Sequence, residues 1–172
     1  MNPQNAQLVD ERREPLYDTY QTAPLAVLPT SIQMFVTPSG PTVGREITNM
    51  TAPGTNGLPN PEHHDVYSVQ VEFTNMNRND VTAFCSKYAG RLVVSGFPKL
   101  TIPLSLRGDI VNGVNDARVQ FDLPEDYRIE LNQGQPFYWE FVSRTGYTLT
   151  DAALGANIRV KLDGVHTVAI GA

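Results

Sequence analysis

The sequence predicts an all-β domain, a single antiparallel sandwich, on three observations. Apolar residues recur at every second position, turn-forming Gly, Pro, Asn and Asp residues separate those runs, and one stretch alone has helical spacing. At 172 residues the chain fits one domain, because about 150 residues already bury about two-thirds of their unfolded surface. An apolar fraction of 41% is enough for a core, and 18% charged residues leaves much of the surface neutral, as suits surfaces meant for contact.

Residues 1–30 read as an extended N-terminal arm and residues 31–172 as the folded domain. Pro3, Pro15, Pro24 and Pro29 exclude a long helix across the arm, although a short helical turn around Ala6 to Arg13 is compatible with the sequence. A frayed terminus and an arm lying on a neighbouring subunit are the two readings. Leu16, Tyr17, Tyr20, Leu25, Val27 and Leu28 favour the arm, since a solvated tail seldom carries so many apolar groups.

From Ser31 the alternation dominates. Tyr67, Val69, Val71 and Phe73 share one face of a strand, with Ser68, Gln70 and Glu72 on the other. The same period runs through Ile32, Met34 and Val36, through Leu100, Ile102, Leu104 and Leu106, through Ala117, Val119 and Phe121, and through Tyr127, Ile129 and Leu131. Phe137 to Val142 and Leu92 to Val94 are apolar on both faces, which suits central strands or strands covered by a partner. Ile158, Val160 and Leu162 form a further strand. Asp163-Gly164 then predicts a type I′ turn, with Val165 to Ile170 returning as a hairpin. Val81, Phe84, Cys85 and Tyr88 have helical spacing, with Asn79 or Asp80 as cap and Gly90 as terminator. The segment Thr48 to Asp65 carries Pro53-Gly54, Asn56-Gly57 and Pro59-Asn60-Pro61 and reads as a long surface loop. Roughly eight strands with one short helix match a single jelly roll in number and spacing. An immunoglobulin-type sandwich is the rival, weakened by the lack of paired cysteines and by the long early loop.

Charge and motifs narrow the function classes. The net charge of −5 is N-terminal: residues 1–80 hold 4 basic and 9 acidic side chains, residues 81–172 hold 9 of each. No Lys/Arg cluster suits phosphate neutralisation, so direct nucleic-acid binding is not expected. The start Met-Asn-Pro-Gln-Asn-Ala-Gln lacks the pattern of a secretory signal, and no run has the apolar length of a bilayer span, so synthesis and retention in cytosol are expected. The lone Cys85 permits no internal disulfide.

Each candidate for chemistry has a plainer reading beside it. His63 and His64 are adjacent, so on a strand they would point to opposite faces, unlike a pair of metal ligands; a solvated loop pair beside Glu62 and Asp65 is the reading preferred, with His166 distant. Cys85 reads as small buried filling. Asp109, Asn112, Asn115 and Asp116 lack the spacing of a calcium loop and read as turn residues. No nucleophile elbow and no phosphate-binding glycine loop is present. The enzymatic alternative is a carbohydrate-binding or glycoside-hydrolase jelly roll, in which Glu72 and Glu140 would flank one cleft beside Tyr138 and Trp139. No catalytic residue, cofactor site or metal site is assigned.

The stretches Phe35-Val36-Thr37-Pro38, Arg45-Glu46-Ile47-Thr48-Asn49-Met50 and Gly57-Leu58-Pro59-Asn60-Pro61, leading into Val66 to Val71, resemble the N-terminal half of jelly-roll capsid proteins of tailless, membrane-containing icosahedral bacteriophages. There a T-N-M segment and an L-P-x-P turn precede the strand that enters the sheet. The likeness covers about a quarter of the chain and consists of turn chemistry. It implies a single-roll capsid subunit in a virion, major or minor, joined to copies of itself and to other capsid proteins, without an active site. The acidic arm, in which Arg12 and Arg13 are outnumbered by Asp10, Glu11, Glu14 and Asp18, fits a shell separated from the genome, as by an internal viral membrane. The expected contact elements are the arm, the loop Thr48 to Asp65 and the strand Phe137 to Val142, with Leu16, Tyr17, Tyr20, Leu58, Pro59, Tyr138 and Trp139 as contact residues.

Overall fold

The computed structural model describes residues 8–40, 43–104, 116–153 and 155–170. The strands are β1 (Leu8–Arg12), β2 (Leu16–Gln21), β3 (Val27–Leu28), β4 (Ser31–Met34), β5 (His63–Thr74), β6 (Ala89–Val94), β7 (Phe97–Pro103), β8 (Asp116–Asp122), β9 (Ile129–Leu131), β10 (Phe137–Val142), β11 (Tyr147–Thr148) and β12 (Asn157–Ile170), of which β4 to β10 and β12 fall on the expected apolar runs. A helix, α1 (Arg78–Lys87), and a 3₁₀ turn, Gly54–Asn56, interrupt them. The architecture is all-β, and every ladder between these strands is antiparallel.

The ladders nest around the β6–β7 connection. β6 pairs with β7, β5 with β8 and β9, β4 with β10, β3 with β11, and β2 and β1 with β12. The chain is thus one long antiparallel hairpin, folded over so that β12 also pairs with β5 and β10 with β6. Folding it over produces a six-stranded sheet built on β1-β12-β5-β8, with β2 alongside β12 and β9 alongside β5, and a four-stranded sheet in the order β4-β10-β6-β7. Ser95 (φ 52°) and Gly96 (φ 79°) close the innermost hairpin. Two successive positive φ values are what a two-residue type I′ turn requires.

One apolar core joins the inward faces of both sheets. It takes Val69, Val71, Phe73, Ile158, Val160 and Leu162 from the larger sheet and Ile32, Met34, Leu92, Val94, Phe137, Trp139 and Phe141 from the smaller. Phe84 of α1 links the two, meeting Phe73 edge-on at 5.4 Å and Phe141 edge-on at 5.2 Å while stacking on Tyr88 at 4.3 Å. Such aromatic pairs add about 0.5–1.5 kcal/mol each beyond the area they bury. Trp139 lies against Gly90, where a Cβ would stand 2.1 Å from the indole ring. Only glycine lets β6 pass there.

Several expectations are corrected. Residues 8–28 do not form an arm: β1, β2 and β3 pair within this chain, and Leu16 and Leu28 are buried in its core. The segment expected to allow a helical turn is strand β1 over Leu8–Arg12. β4 stops at Met34, because Phe35 takes a positive φ of 65° and turns inward beside it, so Val36 does not continue the alternation. α1 is capped by Asn77, whose side chain accepts from the Asp80 amide at 2.9 Å, and it ends at Tyr88. Gly90 is a strand residue. Asp163-Gly164 makes no hairpin turn. β12 runs straight through it, and the irregularity is a bulge in which Tyr67 of β5 has no opposite residue on β12. Leu106, Asp109, Asn112 and Asn115 lie outside the described residues.

Candidate functional site

The two carboxylates of the enzymatic alternative can be located first. Phe73 and Phe141 point into the shared core, so Glu72 and Glu140, one residue away on their strands, face the opposite outer surfaces of the sandwich. They do not flank one cleft. Each has its own cation. Lys161 Nζ donates to Glu72 at 2.7 Å. Arg91 donates to Glu140 Oε2 through Nε at 2.8 Å and Nη2 at 2.6 Å, while Ser31 Oγ donates to Oε1 at 2.6 Å. Ser31, Glu140 and Arg91 belong to β4, β10 and β6, so this fully partnered group staples three strands of the smaller sheet. Cys85 is buried, and burial pushes its thiol up to about 11, which keeps it protonated.

Asp80 has an equally structural setting. Its carboxylate accepts from Tyr147 Oη at 2.6 Å, from Thr150 Oγ1 at 2.9 Å, from the Thr150 amide at 3.0 Å and from Asn77 Nδ2 at 2.9 Å. Burial alone would raise this carboxyl. The bonds from Tyr147 and Thr150 outweigh burial and hold it below the ordinary carboxylate value. They fasten the start of α1 to β11 and the segment after it.

The histidines occupy the other end of the larger sheet. His63 and His64 are strand residues rather than a loop pair, and they do point to opposite faces. His63 is half-buried, with Nδ1 at 2.9 Å from Asn132 Oδ1 and Nε2 at 2.8 Å from Asp65 Oδ1. Asp65 also takes Arg128 Nη1 at 3.0 Å. His64 is fully buried and donates from Nε2 to the Leu162 carbonyl at 3.0 Å, next to the bulge. Its Nδ1 has no hydrogen-bond partner among the described residues. Across the ladder stands His166, its ring 5.6 Å from that of His64. His166 Nε2 lies 3.4 Å from Glu62 Oε2. Burial, helped by the neighbouring His166, lowers the His64 pKa to about 4. Gly164 allows this close packing, since a Cβ there would meet Asp65 O at 1.8 Å.

His166 opens onto a cavity of about 260 Å³ whose walls include Arg12, Glu14, Leu16, Arg45, Leu58 and Glu62. Three expected contact residues, Leu16, Leu58 and Pro59, meet in that cavity wall. Leu16, Leu58 and Trp139 are 5%, 3% and 0% exposed. Their side chains belong to the chain's own core, which corrects their assignment as contact residues. Tyr17, Tyr20, Pro59 and Tyr138 remain half-exposed. Tyr17 also packs its ring under the Arg159 guanidinium at 5.3 Å. The large apolar side chains most open to solvent are Leu25, Val27, Tyr67, Phe97 and Tyr127. Tyr127 escapes sequence reading because it shares the alternating run of Ile129 and Leu131, and Phe97 because it falls out of period with Leu100 and Ile102, where no alternation marks its exposure. The His64–His166 contact escapes it too, since register across 102 residues has no local signal.

Among the described residues no group of three or more His, Cys, Asp or Glu side chains is arranged to hold a metal ion. No helix is long and apolar enough to cross a membrane. Comparison of the chain with models of protein families finds no match, and comparison with curated proteins finds none.

Proposed function

We propose that this chain is a structural subunit of a virus shell, a single jelly roll that assembles through symmetric contacts with its own copies and with other shell proteins. The observation that carries the reading is the nesting of the ladders. A hairpin with its outermost strands paired to each other, rolled so that the pairs are shared between two sheets, is the order a jelly roll needs, and that architecture recurs in capsid proteins. Fold alone does not decide function, because lectins and cupins use the same roll. Two further features favour the shell. The titratable groups that a hydrolase would need are tied into structural networks on opposite faces. In addition, Leu25, Val27 and Phe97 present 52%, 70% and 69% of their surface to solvent, as residues awaiting a neighbour would.

The resemblance of the Phe35 to Val71 stretch to capsid proteins of membrane-containing phages points the same way. On that resemblance the proposed setting is the virion, beside an internal membrane and with no direct hold on the genome. Mass spectrometry of purified particles from the source organism provides the test. The chain should be present in many copies per particle; particles lacking it would remove this reading and restore the carbohydrate-binding alternative, which a glycan array with Glu140→Gln would then probe.

A further inference from the structure

The feature that a structural role leaves unexplained is a fully buried imidazole with an idle nitrogen. His64 spends its Nε2 hydrogen on the Leu162 carbonyl and keeps a buried Nδ1 with no hydrogen-bond partner among the described residues. A buried polar atom without a partner costs about 1–3 kcal/mol, and a leucine at the same place would avoid that cost. A proton added to Nδ1 would find no acceptor there, and the carboxylates nearby are already engaged. Just before β5, Glu62 serves His166, and on β5 Asp65 serves His63 and Arg128. From β12, His166 faces His64 directly, while from β9 Glu130 stands opposite Asp65 and pairs with Arg128. From β1, Arg12 stands opposite His166 in the register. Arg45 and Glu14 line the cavity beyond it. Arg12, Arg45 and Arg128 supply positive charge at this end of the sheet, so a proton on His64 adds charge of the same sign to a buried site.

We propose that His64 is an acid-sensitive trigger in the seam between β5 and β12: neutral, it keeps the bulged end of the sandwich closed, and protonated, it opens the cavity beneath segment 45–62. His166 lines that cavity and stands 5.6 Å from His64 with Glu62 as its partner, so a proton on His64 arrives with no free carboxylate to receive it. Water then enters by way of the cavity to hydrate His64. The covering segment is the element that can yield, since loop backbone opens at lower free energy than the strands beneath it. A shell subunit built this way would loosen one end of its roll on acidification, but the inference rests on the seam alone and does not depend on the shell reading.

The experiment follows the isolated chain from neutral to acid pH in two ways. Histidine NMR on the unmodified chain should show His64 titrating well below the free-histidine value. Hydrogen exchange, corrected for the intrinsic pH effect, should show peptides covering 45–66 and 160–168 losing protection by about tenfold or more between pH 6.5 and pH 4.5. In His64→Gln, whose amide can still donate to Leu162, that loss should vanish. The proposal is overturned if His64 titrates near the free-histidine value, or if the variant loses protection as the unmodified chain does. Should His64→Gln fail to fold, the NMR titration of the unmodified chain decides alone.

Discussion

Two buried titratable groups, one in each sheet, are handled in opposite ways. Glu140 in the smaller sheet is 6% exposed and has every oxygen engaged, by Arg91 on one side and Ser31 on the other. His64 in the larger sheet is 0% exposed, has one bond to a carbonyl and none at Nδ1. A buried charge with a matched partner ties strands together over a wide pH range. A buried neutral base without a partner does so only while it stays neutral. The smaller sheet is therefore the fixed half of the sandwich and the seam between β5 and β12 the conditional one.

Substitutions can break this contrast, and they rank by size. Trp139→Ala empties the centre of the smaller sheet and should cost about 3–5 kcal/mol in denaturant unfolding. A loss under about 1 kcal/mol would mean that the indole does not fill the core beside Gly90 as described. Arg91→Ala leaves Glu140 buried without its cation and should cost about 3 kcal/mol at neutral pH, with part of the loss recovered in Arg91→Ala/Glu140→Gln. A double variant no more stable than the single one would show that the pair is not coupled.

The larger sheet should respond to pH instead. The His64 pKa is lowered to about 4 in the folded chain, from an ordinary value of 6.5. The unfolded chain therefore binds a proton that the folded one refuses in that window. Stability falls as pH drops from 6.5 towards 4 and is fully present above 6.5, with an upper limit of about 3 kcal/mol. Asp18 acts in the opposite sense. Burial raises its carboxyl, against the bonds from the Phe35 and Thr19 amides, so it takes up a proton in the folded chain first as pH falls. Thermal unfolding of the unmodified chain and His64→Gln across this range isolates the histidine, and parallel curves would refute its role. Tyr147→Phe removes one donor from Asp80 and should cost about 1 kcal/mol. Phe97→Ser, at the exposed start of β7, should change stability by less than about 0.5 kcal/mol while reducing self-association. An equal loss of stability and association would mean that Phe97 supports the fold rather than a contact.

Much of the architecture was legible in the sequence because period-two alternation is a local signal. Val69, Val71 and Phe73 announce both their strand and its buried face. What local signals could not decide was where a strand stops or bends. Met34 and Phe35 are both buried because one positive φ reverses the alternation. Asp163-Gly164 has turn chemistry, yet β5 and β12 continue past it, since both strands still have core to cover on the far side. The arm was misjudged for a related reason: apolar residues at 16–28 do seek a partner, but the partners lie within the chain, in β12 for Tyr17 and Tyr20, which pair with Lys161 and Ile158, 144 and 138 residues away, and in β11 for Val27 and Leu28. Of the candidate site, adjacency correctly placed His63 and His64 on opposite faces. The meeting of His64 with His166 depends on a bulge at Tyr67 that no sequence pattern marks.

The claim that organises this account is that the chain is built to associate. Sedimentation velocity of the purified chain over a wide concentration series tests it most directly. The account predicts discrete symmetric oligomers or closed shells that grow with concentration and weaken in Phe97→Ser. A single monomeric species at every concentration, unchanged by that substitution, would contradict it.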